Sequence, residues 1–548
     1  MQRFLLAILV STSGSLSAQV AKSKAKFIED RLKYHVTVLA NDSLEGRRTG
    51  TMGEKKAQSY LITYFKELKI KGLGDNGSYT QTFSFDDGNE LTPMTELYVN
   101  NVRLTPLVDF FPLGNSPSKK RESVELSPSL TEIGQPWFRD IGQILIINKD
   151  NPHFDYGEWL RSEVDSCFMK GATGLILYNS SPLTDRFMYN PKEKGPKLKL
   201  PVIYVNQKAY NKHFRDHGEL YKITYAIDTR TRKREGANIV AQIDNNSDQT
   251  VIIGAHYDHL GYGEDGNSML RTGDRVIHNG ADDNASGTAM MMELAKTLKH
   301  RSFKKFNYLF IGFSGEELGL FGSKYYVDNP TIDLDKVNYM INLDMVGRLS
   351  DSTRMLTVGG YGTSSLWDDI ISRTKGESIK FKFDSSGSGP SDHTSFYRKN
   401  IPVLFLFTGL HSDYHKPSDD AERINYTGMV EIKSFIEKLI LSSSRYPKLD
   451  FIKTREQQTS TSARFSVSLG IMPDYSYSGA GVKVDGVSEG RPAQKAGIKI
   501  GDVILKLGQQ NITSVEDYMQ SLARFKKGQI SDVTVSRNGN TIILTVQF

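Results

Sequence analysis

The chain has 548 residues, of which 38% are hydrophobic, 24% charged and 10% aromatic. That is longer than one hydrophobic core normally serves, so the chain divides into several folded units, and its composition excludes collagen-like, low-complexity and wholly disordered classes. Sixty-nine Lys and Arg against 63 Asp and Glu leave a formal charge of +6, with no basic block to follow a phosphate backbone, which argues against nucleic acid as a partner. The single cysteine, Cys167, can form no intrachain disulfide and supply no thiolate cluster, so any bound metal must be held by His, Asp and Glu.

Residues 1–18 place Arg3 before the apolar run Phe4 to Val10 and end in the small residues Ser15, Leu16, Ser17 and Ala18. This is the pattern of a signal peptide for export. No apolar run reaches the roughly 20 residues of a spanning helix, and no cysteine near the cleavage region could carry a lipid anchor. The expectation is a secreted or periplasmic protein without an integral membrane anchor.

Helical spacing of apolar residues predicts helices over Ala25 to Leu39 and Glu54 to Leu68. From Leu97 to Ile227 the pattern changes to short β-rich runs, among them Gln143 to Ile147, Gly174 to Tyr178 and Pro201 to Tyr204. Beyond Asn238, strands (Asn238 to Ile243, Thr250 to Ala255, Asn307 to Phe313, Asn338 to Leu343, Ile401 to Phe407) alternate with helices (Ala285 to Leu298, Leu318 to Val327, Tyr426 to Leu441). Such alternation indicates an α/β fold, an αβα sandwich around a mixed, mostly parallel sheet. A polar run, Thr454 to Ala463, reads as a linker, and Arg464 to Phe548 is long enough to fold alone. The predicted organisation is a signal at 1–18, one α/β domain at 25–96 and 233–445, an insert at 97–232, a linker at 446–463 and a last domain at 464–548.

The chemistry-bearing residues follow the predicted strands, where open α/β sheets bind ligands. His256 and Asp258 end one strand and are two apart, so they project to the same side. Asp282 and Asp283 sit in a loop before a helix, a position an ordinary helix cap would also satisfy. Glu316 and Glu317 open another helix, where acidic residues also complement the macrodipole. Asp344 ends an apolar run, and Asp413, Tyr414 and His415 follow the strand ending at Phe407. Taken together, oxygen and imidazole donors without sulfur suit a pair of zinc ions bridged by one carboxylate, roughly 3.5–4 Å apart. The Glu316/Glu317 pair can then divide into a metal ligand and a proton acceptor.

The ordered set His256/Asp258, Asp283, Glu316/Glu317, Asp344 and His415 resembles the co-catalytic di-zinc aminopeptidases, whose relatives include bacterial leucyl aminopeptidases, glutamate carboxypeptidase and glutaminyl cyclase. The resemblance covers about Ala25 to Ser444 without the insert. It implies two Zn2+ ions held by His256, Asp283, Glu317, Asp344 and His415, with Asp283 bridging. It further implies Glu316 as general base, Asp258 as the partner of His256, and Tyr414 as a hydroxyl stabilising the oxyanion. Asp282 competes with Asp283, which is preferred because it directly precedes Asn284; His259, His393 and His411 compete as imidazole ligands. Ser391, Asp392 and His393 resemble a family loop near the pocket, which implies Asp392 and His393 at the substrate pocket, with His393 either behind the metal ligands or facing the substrate rather than ligating.

The insert resembles a protease-associated domain through Gly171 to Tyr178 and Leu200 to Ile203. The C-terminal unit resembles a bacterial-protease PDZ domain through Gly490 to Ile504, with Ser468 to Ile471 as the loop that would receive a peptide carboxylate. Pro473 removes a donor from the edge such a peptide would pair with, so a scaffolding role stands equally. The function implied is an exported zinc exopeptidase that removes N-terminal residues from peptides. The alternatives are a glutaminyl cyclase-like aminoacyltransferase, a dipeptidase or carboxypeptidase of the same family, and a catalytically dead binding protein.

Overall fold

The computed structural model describes residues 23–149, 156–183, 187–191, 193, 197–214, 216–270, 274–374, 378–454, 467–473, 477, 479–487, 490–513, 515–522, 524–525 and 528–548. The export signal expected at 1–18 lies outside the described residues. Among them, no helix is long and apolar enough to cross a membrane.

The fold is α/β, built on a nine-stranded mixed sheet. Its middle consists of the strands Asn307–Phe313, Thr250–His256, Val337–Leu343 and Val403–Phe407, neighbours in that order and all parallel. Antiparallel pairing flanks them, through Thr229–Ile243 on one side and Met355–Gly359 on the other. Thr250–His256, Val337–Leu343 and nearly all of Asn307–Phe313 are buried along their length, as expected of parallel strands covered on both faces. Residues 251, 253 and 255 pack with the helices 23–39, Met52–Glu67, Gly287–Leu298 and Tyr426–Ser443, whereas Ile252 packs with Tyr326, Val327 and Phe396 on the opposite face. Two helical layers around one sheet make the expected αβα sandwich.

The insert is entered and left through a long antiparallel ribbon, Thr80–Leu91 with Thr229–Ile243. It contains two four-stranded sheets, each beside its own apolar cluster. One prediction fails here. Residues 143–147 are not a strand but part of a helix, Gly142–Ile147, in which Gly142 and Leu145 are buried. The apolar run conceals a helical face, and Asp140 Oδ1 accepts from Gly142 N at 2.9 Å at its start. The helix Tyr156–Met169 is a further element the β-rich reading leaves out.

Residues 446–454, expected as the front of a linker, lie instead against the sandwich. Leu449 is buried in its core, Phe451 packs beside Tyr397, and Asp450 Oδ1 accepts from Ser364 Oγ at 2.8 Å. Residues 455–466 lie outside the described residues. In the last unit, Ile471–Pro473 is an edge strand, so Pro473 stands on an edge, as expected.

Candidate metal centre

The functional candidates converge at the C-terminal ends of the parallel strands. His256 is the last residue of its strand, Glu316 and Glu317 follow Phe313, and Asp344 follows Leu343. Asp283 comes from the turn Ala281–Ser286, with non-helical φ −108° and ψ 92°. That turn needs Gly280. Its φ is +55°, and a Cβ there would lie 2.2 Å from the Asp283 carbonyl oxygen and 2.4 Å from the His259 ring.

Asp283 faces two clusters at once. Its Oδ1 is 3.4 Å from His256 Nε2, which is itself 3.3 Å from Asp344 Oδ1. Its Oδ2 is 3.3 Å from His415 Nε2, which is 3.2 Å from Glu317 Oε2. Donor atoms of His256, Asp283 and Asp344 all lie within 4.8 Å of one another, as do those of His259, Asp283 and Glu317. Two imidazole-and-carboxylate groups sharing one carboxylate fit a pair of zinc ions in donor type and in arrangement.

Each donor is oriented from behind. His256 Nδ1 lies 3.2 Å from the Asp258 carbonyl oxygen and 3.7 Å from Asp258 Oδ1, which leaves Nε2 toward the carboxylates. Asp258 is fixed in turn by Thr49 Oγ1 at 2.9 Å and Glu316 N at 3.2 Å. His415 Nδ1 bonds the Asn267 carbonyl at 2.8 Å, and Ser391 Oγ donates to Asp344 Oδ2 at 2.7 Å. The bridging loop is pinned where Asp419 Oδ2 accepts from the amides of Asp282 and Asp283 at 2.9 and 3.1 Å.

So many carboxylates in a dry site require opposing charge. Burial and the surrounding carboxylates push Glu316 well above the usual carboxylate range, although His256 opposes them. Against the cost of burial, His256 and His415 hold Asp283 well below that range. Burial alone would lower His415, but Glu317 and Asp283 raise it to about 11. Burial raises Asp258 to about 6 against the pull of His256. These are the signatures of a site short of positive charge.

Sequence reasoning missed Arg47, which is 1% exposed. It donates to the carbonyls of Tyr257, Asn279 and Gly280 at 2.9, 2.7 and 3.0 Å, tying the His256 strand to the bridging loop. Burial lowers it to about 10, while Asp283 and Asp258 hold it up, so it stays charged. The adjacent arginines in Leu44 to Gly50 are the signal that could have found it.

The structure also arbitrates among the competitors. Asp282 turns away from both clusters, with Oδ1 accepting from Gly347 N at 2.6 Å and Oδ2 lying 3.2 Å from His411 Nε2. His411 is thereby taken up outside the centre. His259 is inside it, its Nδ1 2.7 Å from Glu317 Oε1. Asp392 and His393 are 0% and 1% exposed, as deeply buried as His256 at 1%. His393 stacks on Phe405 at 4.6 Å, and burial lowers it to about 3, leaving a neutral ring. Tyr414 stacks on His415 at 3.9 Å; burial and then Asp283 push its hydroxyl above the ordinary range, so it keeps its proton.

Residues 238–440 match Peptidase family M28 and residues 457–548 match the PDZ domain family. An M28 peptidase region and a PDZ domain are thus found in the chain. Among curated relatives, the peptidase is 24% identical to aminopeptidase YwaD of Bacillus subtilis over 432 residues, 76% of this chain and 85% of that protein. It is 34% identical to leupeptin-inactivating enzyme 1 of Streptomyces exfoliatus over 174 residues, 29% of this chain and 37% of that protein. Similar solved structures include the zinc aminopeptidase BSAP of Bacillus subtilis, with 19% identity, 78% of this chain and 96% of that chain covered, and a TM-score of 0.43. The aminopeptidase from Aneurinibacillus sp. strain AM-1 gives 19% identity, 78% and 95% coverage and a TM-score of 0.41.

Proposed function

We propose that the chain is an exported zinc-dependent aminopeptidase that removes N-terminal residues from peptides. The observation that carries this reading is the placement of Asp283, with one oxygen 3.4 Å from His256 and the other 3.3 Å from His415. His256, Asp283 and Asp344 would hold one zinc, and Asp283 and Glu317 a second together with His415, whose Nε2 lies 3.3 and 3.2 Å from their carboxylates, while His259 hydrogen-bonds the other oxygen of Glu317. When bound, zinc lowers the pKa of water to near neutrality and polarises the scissile carbonyl.

The remaining chemistry belongs to the chain. Glu316 takes a proton from the attacking water on its carboxylate and returns it to the leaving amine. Asp258 fixes the ring and tautomer of His256. Tyr414, still protonated, donates its hydroxyl to the oxyanion. The carboxylates around the centre attract the free amino group of a peptide, which favours action at the N-terminus.

The flanking parts extend the proposal. Residues 97–232 form a protease-associated-type insert, supported by their own apolar clusters, and the PDZ domain contacts peptides or serves as a scaffold. Export rests on the 1–18 pattern. The purified protein should hydrolyse an aminoacyl anilide and lose that activity to a zinc chelator. On a panel of free and N-acetylated peptides it should cut only the free ones; cleavage of acetylated peptides alone would refute the aminopeptidase reading.

A further inference from the structure

We propose that Asp265 is a positioning residue through which the stem of the insert holds the metal ligand His415 in place. The proposal rests on the two-zinc reading above. It starts from a loop that the sequence did not single out, Glu264 to Met269, which touches the centre only through backbone and one amide. The Asn267 carbonyl bonds His415 Nδ1 at 2.8 Å, and Met269 N donates to the His415 carbonyl at 2.9 Å. Asn267 Nδ2 donates to the Glu317 carbonyl at 3.3 Å. One loop thus fixes the ring rotation of His415, its backbone and the backbone of Glu317.

Asp265 anchors that loop from the other side. Arg48 grips its carboxylate with two hydrogen bonds, Nε to Oδ2 at 2.7 Å and Nη2 to Oδ1 at 2.9 Å. Arg234 adds contacts at 3.3 and 3.4 Å and reaches Asp87 Oδ1 at 2.5 Å. Asp87 and Arg234 belong to the two strands of the ribbon that leads into the insert. The carboxylates of Asp265 and Asp87 are 4% exposed and Arg234 is 9% exposed, so solvent does not screen the network as it would a surface pair. Arg48 lies next to Thr49, whose hydroxyl fixes Asp258. The same network therefore braces both sides of the centre, but only the Asp265 arm reaches His415.

A bidentate arginine–carboxylate pair fixes geometry as well as charge. Partners that orient a metal ligand from outside typically contribute 10–100-fold to metal affinity. The test is competition for zinc between the full-length chain and a chromogenic chelator, run well below the unfolding transition. Asp265→Asn should lose zinc from one site about 10-fold more readily while the other site is unchanged. Affinity within twofold of wild type at both sites would overturn the proposal, even if the variant melts at a lower temperature, because stability alone would then explain the network. If Asp265→Asn does not fold, Arg48→Lys decides on the same assay: it keeps the charge, gives up the bidentate grip and should weaken the same site about threefold, and no change would overturn the proposal. His415→Ala separates the two levels of the argument. Unchanged zinc binding in His415→Ala would remove the two-zinc reading itself, whereas weakened binding there with normal binding in Asp265→Asn would remove only the role of Asp265.

Discussion

The insert and the sandwich it interrupts treat buried polarity in opposite ways. Among the described residues of 97–228, the buried polar side chains are Asn115, Ser116, Ser127, Asn179 and Ser181, all neutral. In the sandwich the buried set includes Arg47, Glu54, His256, Asp258, His259, Asp283, Glu293, Asp344, Asp392 and Asp419. Burying a charge costs several kcal/mol unless it is paired or coordinates a metal, so a fold accumulates such groups only where chemistry or a bound ion repays them. The insert buries apolar and neutral polar side chains and keeps its charged pairs, such as Arg139 with Glu163, partly exposed; the sandwich carries a charged centre its own residues do not neutralise.

The sharpest way to break this contrast is to remove the shared carboxylate. Asp283→Ala should lose measurable zinc at both positions and all detectable hydrolysis of an aminoacyl anilide, whereas Ser116→Ala in the insert should leave zinc content and kcat at wild-type values. Next in size is Arg47→Met. Four carbonyls lose their donor and the carboxylates lose a buried cation, so the zinc-free protein should be destabilised by about 3–5 kcal/mol in denaturant titration. Because the lost charge matters most where carboxylates are uncompensated, added zinc should recover part of that loss.

A third test concerns buried charge away from the centre. Glu293 is fully buried and accepts from Arg31 Nε and Nη2 at 2.7 and 2.8 Å; despite burial, His35 and Arg31 lower it to about 2 from an ordinary 4.5. A depressed carboxylate stabilises the fold above its unfolded pKa and loses that contribution as pH falls through the folded one. Glu293 should therefore contribute on the order of 3 kcal/mol above pH ~4.5 and progressively less toward pH ~2. Unfolding curves of Glu293→Gln and wild type should converge over that window and stay apart above it. The smallest effect is Ser116→Ala, which leaves the buried amide of Val202 without its 2.7 Å acceptor. It should cost about 1–2 kcal/mol, with activity intact.

Much of the sandwich was legible because its strands are continuous apolar runs and its helices keep 3.6-residue spacing. The centre was legible because most of its residues lie at or just beyond a strand end or just before a helix; His415 stands in the longer loop between Phe407 and Tyr426. What periodicity could not supply was the assignment between chemically equivalent neighbours. Asp282 and Asp283 read alike, and only the turn geometry sends one to Gly347 and His411 and the other to the centre. His259 could not be placed because its reach to Glu317 depends on the Arg47 to Thr49 segment lying across it, a contact over more than 200 residues. The helix at 142–147 was misread because five consecutive apolar or amide residues carry no period that separates helix from strand.

If Glu316 carries the proton beside a pair of zinc sites, as proposed above, the decisive measurement is the zinc content and aminoacyl-anilide turnover of Glu316→Gln. The variant should keep wild-type zinc content with kcat reduced about 10²–10⁴-fold. Wild-type turnover in the zinc-loaded variant would contradict that role.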